Sequence, residues 1–103
     1  MNRRAKEPHF LPAARQDIAD AFAWCEQQSL GLGREFLRCV DATVVSIQRH
    51  PLMYPAVLVD YRRALVRRFP YVVFYEVEPK CIVVYAVFHC SQDPNKWKAR
   101  LLN

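Results

Sequence analysis

The sequence predicts an α+β fold in the order β-α-α-β-β-β, with a helical hairpin packed on a small, mostly antiparallel sheet. Apolar residues recur at three- and four-residue spacing between residues 13 and 49, which indicates two amphipathic helices. Two runs rich in Val, Tyr, Phe and Ile follow after residue 70, which indicates strands. Helices and strands that are segregated along the chain in this way are typical of a layered α+β domain.

The composition limits the kind of protein this can be. The 103 residues are enough for one core, so we expect a single domain over residues 1–103. An apolar fraction of 52% argues against disorder, and two glycines leave no Gly-rich phosphate-binding loop. The longest apolar run, residues 81–88, is far too short to cross a bilayer, and the basic residues 1–7 precede no apolar signal core. We expect a cytoplasmic protein with no membrane contact.

The first element is extended and the next two are helical. Two prolines in residues 7–12 exclude a helix and favour a short or edge strand. Residues 13–28 and 33–49 form the predicted helices, and a connection this short makes them antiparallel neighbours. The predicted inward residues of the first helix are Ala14, Ile18, Ala21, Phe22 and Cys25, with Arg15, Gln16, Asp17, Asp20 and Glu26 opposite. Those of the second are Phe36, Leu37, Val40, Val44 and Ile47.

Three strands follow a proline-rich link at residues 51–55. They are predicted over residues 61–69, 71–78 and 81–89, with a tight turn at 78–80. Simple alternation places Ile82, Val84, Ala86 and Phe88 on one face of the last strand and Val83, Tyr85, Val87 and His89 on the other. Because both faces are apolar, this strand should be central. A short turn or helix then begins near Asp93, and its Trp97 and Leu101 can cover a sheet edge.

The four cysteines do not have the spacing of a zinc site. Cys25, Cys39, Cys81 and Cys90 form no C-x-x-C pair, so we expect reduced thiols and no metal. Only Cys90, beside His89, is placed where a reactive thiol could lie. Adjacent residues of a strand point to opposite faces, however, so a Cys–His couple from this pair is geometrically poor.

Positive charge is concentrated in one segment. Four arginines, Arg62, Arg63, Arg67 and Arg68, fall within seven residues of a chain whose net charge is +5. Lys96, Lys98 and Arg100 add a second basic patch. Guanidinium groups suit phosphate and carboxylate recognition, so the first cluster predicts an acidic partner, either nucleic acid or an acidic protein segment. The alternative interpretation is an ordinary solvated strand face.

Several short segments together resemble a known family. They are FLPAARQDI at residues 10–18, RFPY at 68–71, VFYEV at 73–77, and the ending His89…Asp93-Pro94. Over about residues 10–101 the chain resembles ParE/RelE-type toxins of bacterial type II toxin–antitoxin systems, and within them the ParE-like branch, often labelled plasmid stabilisation protein. The resemblance implies a curved sheet, a cognate antitoxin as partner, and contact with operator DNA only through that antitoxin. It implies no cofactor.

The two branches of the family imply different targets. A ParE-type toxin inhibits DNA gyrase by binding, whereas a RelE-type toxin is a metal-independent endonuclease that cuts messenger RNA on the ribosome. Two arginines of the nuclease branch correspond to Val72 and to Ser91 or Gln92, which are neutral here. We therefore expect no catalytic residues and a gyrase inhibitor. A nuclease remains the alternative, with Arg67, Arg68, His89 and Lys96 as candidates, and a non-toxic binding module of the same fold is the second alternative.

The predicted binding residues combine the arginine cluster with the end of the last strand. For target or antitoxin contact they are Arg62, Arg63, Arg67, Arg68, His89, Gln92, Lys96 and Trp97. Trp97 has a second interpretation that is at least as strong, namely packing against the sheet.

Overall fold

The computed structural model describes residues 6–102, so the first five residues of the basic N-terminal segment lie outside it. It contains five strands and three helices. In chain order they are β1 (Glu7–Phe10), α1 (Pro12–Gln28), α2 (Leu32–Arg49), β2 (Ala56–Leu58), β3 (Tyr61–Leu65), β4 (Tyr71–Val77), β5 (Cys81–His89) and α3 (Pro94–Leu102). The predicted α+β fold is confirmed, with one additional strand and with a C-terminal helix.

The strands form a single sheet in the order β1-β5-β4-β3-β2. β1 pairs with β5 in parallel, and the other neighbours are antiparallel. The first extended segment is therefore an edge strand, as its prolines predicted, and β5 lies inside the sheet along the part that pairs with β1. Among residues 6–102, no strand pairs with the outer edge of β5 beyond Val84.

The helical hairpin covers one face of the sheet, which we call the inner face. The core on this face contains Phe36, Val40, Val44 and Ile47 of α2 and Ala14, Ala21 and Cys25 of α1, packed on Val73 and Tyr75 of β4 among others. Each of these side chains is at least about nine-tenths buried. Two isolated helices of this length would be only marginally stable, so burial of this apolar surface against the sheet provides most of their stability.

A close contact fixes the turn of the helical hairpin. A Cβ added to Gly33 would lie 2.8 Å from a ring carbon of Phe22, so only glycine fits. The Glu26 carboxylate accepts the N–H groups of Gly31 and Gly33, each at 2.9 Å. These two backbone hydrogen bonds hold the pKa of Glu26 below its ordinary value. The first helix therefore supplies a cap for the otherwise unpaired donors at the start of the second.

A smaller core lies on the opposite face, which we call the outer face. Val72 and Phe74 of β4 and Ala86 and Phe88 of β5 pack there against Leu101 of α3. The ring of Trp97 stacks on Phe74, with centroids 4.8 Å apart and an interplanar angle of 23°. α3 thus covers part of the outer face of the sheet, and not only an edge.

In the middle of the chain one predicted boundary was wrong and one strand was missed. The strand predicted over residues 61–69 ends at Leu65, and residues 66–70 form the connection to β4. Within that connection Arg68 has a φ of 69°, a left-handed conformation that cannot continue a strand. The strand β2, which pairs with β3, was missed because it has only three residues and directly follows a proline.

The predicted face assignment of β5 was also wrong in part. The pairing with β4 shifts between Phe74 and Tyr75, which are opposite Ala86 and Val84, so Tyr85 is an extra residue in β5. Consequently Ile82 and Val84 face the inner core whereas Ala86 and Phe88 face the outer one. The bulge reverses the alternation halfway along the strand.

Within residues 6–102, no helix is both long enough and apolar enough to span a membrane.

Candidate binding surfaces

The structure does not bring the four arginines of the predicted cluster onto one surface. Arg62 turns toward the helices and donates to the carbonyl oxygen of Tyr54 at 2.6 Å. Nearby, the buried hydroxyl of Tyr75 donates to the carbonyl of Pro51 at 2.7 Å, and burial raises the pKa of Tyr75 to about 12. Arg62 and Tyr75 therefore fasten the link that follows α2, which is a structural role.

The other three arginines are exposed and lie in two places. Arg63 is on the outer face of β3, beside Val72 and Cys90. Arg67 and Arg68 lie in the connection between β3 and β4. Arg68 lines a groove of about 360 Å³ between this connection and the helical hairpin, together with Trp24 and others. Its left-handed backbone costs about 1–2 kcal/mol, a strain that is often retained where a side chain must be presented in a particular direction.

His89 is held in place by the turn that follows β5. Its Nδ1 accepts the backbone N–H of Ser91 at 3.0 Å, and the Ser91 hydroxyl lies 2.8 Å from the same atom. The ring packs edge-on against Tyr71, with centroids 5.1 Å apart. A neutral ring in this arrangement carries its proton on Nε2. His89 thus has a structural role, because its hydrogen bonds with Ser91 hold the turn that follows β5.

The side chain of Gln92 is hydrogen-bonded within the fold, whereas that of Lys96 is exposed. The Gln92 side-chain oxygen accepts the backbone N–H of His89 at 2.7 Å, so Gln92 closes the same turn. Lys96 is exposed in the first turn of α3. That helix begins at Pro94, and the Asp93 carboxylate accepts the N–H of Asn95 at 3.0 Å as an N-terminal cap.

Four of the predicted binding residues do meet at one place. Arg63, His89, Gln92 and Trp97 line a cavity of about 160 Å³ on the outer face. Arg67, Arg68 and Lys96 do not line it, and Arg62 faces the other side of the sheet.

A second concave surface runs along α1 and was not predicted. A cavity of about 510 Å³, lined by Asp17, Asp20 and His89 among others, shares Trp24 and Tyr71 with the groove at Arg68. We call the combined surface the helix-side groove. Trp24, which lies at the centre of this groove, is 51% exposed. A tryptophan on the polar side of an amphipathic helix is the signal in the sequence that could have indicated it.

The most important polar contact of the fold was also missed. Asp17, predicted on the solvent side of α1, accepts the backbone N–H of Val87 at 3.0 Å. Arg100 of α3 binds the same carboxylate through two nitrogens, at 2.9 and 3.1 Å, and also donates to the carbonyl of Tyr85 at 3.3 Å. The pair covers the edge of β5 that has no partner strand and joins all three layers.

The four cysteines have different surroundings. Cys25 is buried, Cys39 and Cys81 are half-buried, Cys90 is exposed, and all four are free thiols. Among the side chains of residues 6–102, no group of three or more His, Cys, Asp or Glu is arranged to hold a metal ion.

Comparison with known proteins agrees with this architecture. The chain resembles the chromosomal ParDE toxin–antitoxin system of P. aeruginosa, with a TM-score of 0.73 and 12% identity over 82% of this chain and 96% of the other. It also resembles the toxin–antitoxin complex RelBE2 of Mycobacterium tuberculosis, with a TM-score of 0.61 and 19% identity over 84% and 99% of the two chains. A search of curated proteins gave no significant match.

These similarities define the class of protein, a small α+β domain with a helical hairpin on a five-stranded sheet, as in known toxin–antitoxin structures. The model of one family, the ParE toxin of type II toxin–antitoxin systems of the parDE kind, matches residues 9–94. The chain belongs to this family.

Replacing Trp97 with alanine tests whether this residue packs or binds. Trp97 is half-buried on Phe74, so its removal should lower the free energy of unfolding by about 1–2 kcal/mol, which is less than a fully buried tryptophan would cost. Activity per folded molecule should stay within about fivefold of the wild type, because one ordinary contact usually contributes under about 1 kcal/mol to binding. Thermal unfolding and growth inhibition, normalised to folded protein, measure the two effects. Lost activity with unchanged stability would contradict the packing role.

Proposed function

We propose that this toxin acts without catalysis, by binding DNA gyrase, and that a cognate antitoxin neutralises it. The observation that carries this proposal is the dispersal of the groups that a ribonuclease would need. Cleavage through a 2′-hydroxyl requires a base, an acid and cations around one phosphate. Of the candidates Arg67, Arg68, His89 and Lys96, His89 lines the cavities of 510 and 160 Å³ and Arg68 lines the 360 Å³ section of the helix-side groove, whereas Arg67 and Lys96 line none of the three.

The positions that could carry nuclease arginines support the same proposal. Val72 is 8% exposed and packs in the outer core. Ser91 and Gln92 are engaged in the hydrogen bonds that close the turn after β5. Their side chains already serve the fold, and none of the three carries a charge.

The helix-side groove is the surface that we propose for the antitoxin. It is long, and Trp24 and Tyr71 offer aromatic surface at its centre, so a helical or extended tail can bury apolar side chains there. Arg68 lines one end of the groove, and Arg67 is its exposed neighbour in the same connection, so both guanidinium groups suit acidic residues of the tail. Arg62, which was predicted to share this role, is occupied by carbonyl oxygens of its own chain.

Two assays with purified protein test the proposal. The toxin should inhibit supercoiling by DNA gyrase, added antitoxin should restore it, and the toxin should leave messenger RNA intact with or without ribosomes. Messenger cleavage without gyrase inhibition would replace the proposal with the ribonuclease. If neither activity is found but the antitoxin still binds tightly, the chain is a non-toxic binding module.

A further inference from the structure

The outer face carries a groove that the antitoxin proposal does not use. A cavity of about 450 Å³ is lined by Tyr54, Pro55 and Leu65, together with Arg63, Val72 and Cys90. The last three residues also line the 160 Å³ cavity that ends at Trp97. The two cavities therefore form one continuous groove from the link before β2 to the start of α3. We call it the outer-face groove.

The charge of this groove is positive and uncompensated. No aspartate or glutamate lines either cavity. Among residues 6–102, the Arg63 guanidinium has no carboxylate within salt-bridge distance and donates no hydrogen bond to a protein acceptor. The neighbouring Arg62 makes two contacts with carbonyl oxygens, which shows that a strand arginine of this protein can find internal acceptors. An exposed, unpaired guanidinium at the centre of a groove favours an anionic ligand.

The remaining lining residues distinguish a protein ligand from a nucleic acid. Leu65 is 64% exposed and lies at the groove wall, and Pro55 and Val72 extend the apolar surface. A nucleic-acid strand gains most of its affinity from several cations along its phosphates, and this groove offers one arginine. A single carboxylate beside an apolar side chain matches the groove better.

We propose that the outer-face groove docks an acidic segment of the target protein, with one carboxylate on Arg63 and one apolar side chain between Pro55 and Leu65. This inference rests on the proposed inhibition of gyrase and assigns the surface that performs it. The outer-face groove and the helix-side groove meet at the end of β5, where Phe88, His89 and Gln92 line both. Away from this point they lie on opposite faces of the sheet, so the target and the antitoxin tail would contact largely different faces of the toxin.

Two variants and one control test the inference. Arg63→Gln should weaken inhibition of the gyrase holoenzyme about tenfold, and Arg63→Glu combined with Leu65→Ser should weaken it about 100-fold, as expected for central contacts of an interface. Leu30→Ser, at a fully exposed leucine of the helical hairpin, should change nothing. Antitoxin affinity should stay within about twofold in every variant, because surface substitutions outside an interface have small effects.

Cys90 provides a direct readout of occupancy, because its exposed thiol lies in the groove. In a Cys39→Ser/Cys81→Ser toxin, where the remaining Cys25 is buried, gyrase should slow modification of Cys90 by a thiol reagent. If the wild type inhibits gyrase but the variants inhibit equally and Cys90 stays reactive, the groove is not the docking site. If the wild type does not inhibit gyrase, the proposed function and this inference both fail. If the Arg63 variants instead lose messenger cleavage, the occupant is RNA.

Discussion

The Asp17→Ala substitution is expected to lower the free energy of unfolding by about 2–4 kcal/mol, because it breaks an ion pair with Arg100 that is largely shielded from water. The Asp17 side chain is 13% exposed and that of Arg100 29%. Loss of the Asp17 carboxylate leaves the N–H of Val87 without an acceptor and the Arg100 guanidinium without its anion. For a domain of this size the melting temperature should fall by about 10 °C or more.

Two further variants make this expectation specific. Asp20→Ala, one turn away on α1 and exposed, should change stability by less than about 0.5 kcal/mol. Arg100→Met should cost less than Asp17→Ala, because Asp17 can still accept the N–H of Val87. Urea unfolding of the single and double variants measures the coupling between the two residues. If Asp17→Ala and Asp20→Ala were equally stable, the proposed protection of the β5 edge would be wrong.

Reversing the charges of Arg67 and Arg68 is expected to weaken antitoxin binding about 100-fold or more. Each charge-assisted hydrogen bond contributes about 1.5–3 kcal/mol, and glutamate in the same place adds repulsion. Both side chains are exposed and lie in a connection outside the core, so the Arg67→Glu/Arg68→Glu protein should fold normally. The loss of affinity should shrink at high salt, which screens exposed charges. Titration of antitoxin by calorimetry at two ionic strengths measures both effects.

A control with the same change in net charge is available at the other end of the molecule. Arg49 and Lys80 are exposed there, where Gln48 donates to the carbonyl of Lys6 and the Lys6 ammonium binds the carbonyl of Glu78. Arg49→Glu/Lys80→Glu should leave antitoxin affinity within about threefold of the wild type, because charges more than a Debye length away are screened. Equal losses in the two double variants would mean that overall charge, and not Arg67 and Arg68, governs binding.

The elements with a strong periodic pattern were predictable from the sequence. The helices begin at Pro12 and Leu32, one residue before the predicted starts, and β5 has the predicted bounds. Their signals are local, because amphipathic spacing and a run of β-branched residues are visible within one segment. The outline of the fold followed from these segments alone.

Features that depend on distant residues were not predictable in this way. The bulge at Tyr85 left no trace, since a strand that is apolar on both faces looks the same in either register. The acceptor role of Asp17 joins residues 70 positions apart. Likewise, the sequence placed Arg62, Arg63, Arg67 and Arg68 in one segment, but an early strand end at Leu65 distributes them over three surroundings. The sequence therefore identified individual candidate residues, but not which of them share a surface.

Replacing His89 with glutamine tests the central claim, that the toxin acts by binding and not by catalysis. Removing a general acid or base costs about 10²–10⁴ in rate, whereas removing one ordinary contact usually costs under about 1 kcal/mol. A His89→Gln toxin that still folds and binds antitoxin should therefore inhibit growth almost as strongly as the wild type when both are induced to the same level. Complete loss of growth inhibition in that folded, antitoxin-binding protein would contradict the non-catalytic account and support the ribonuclease.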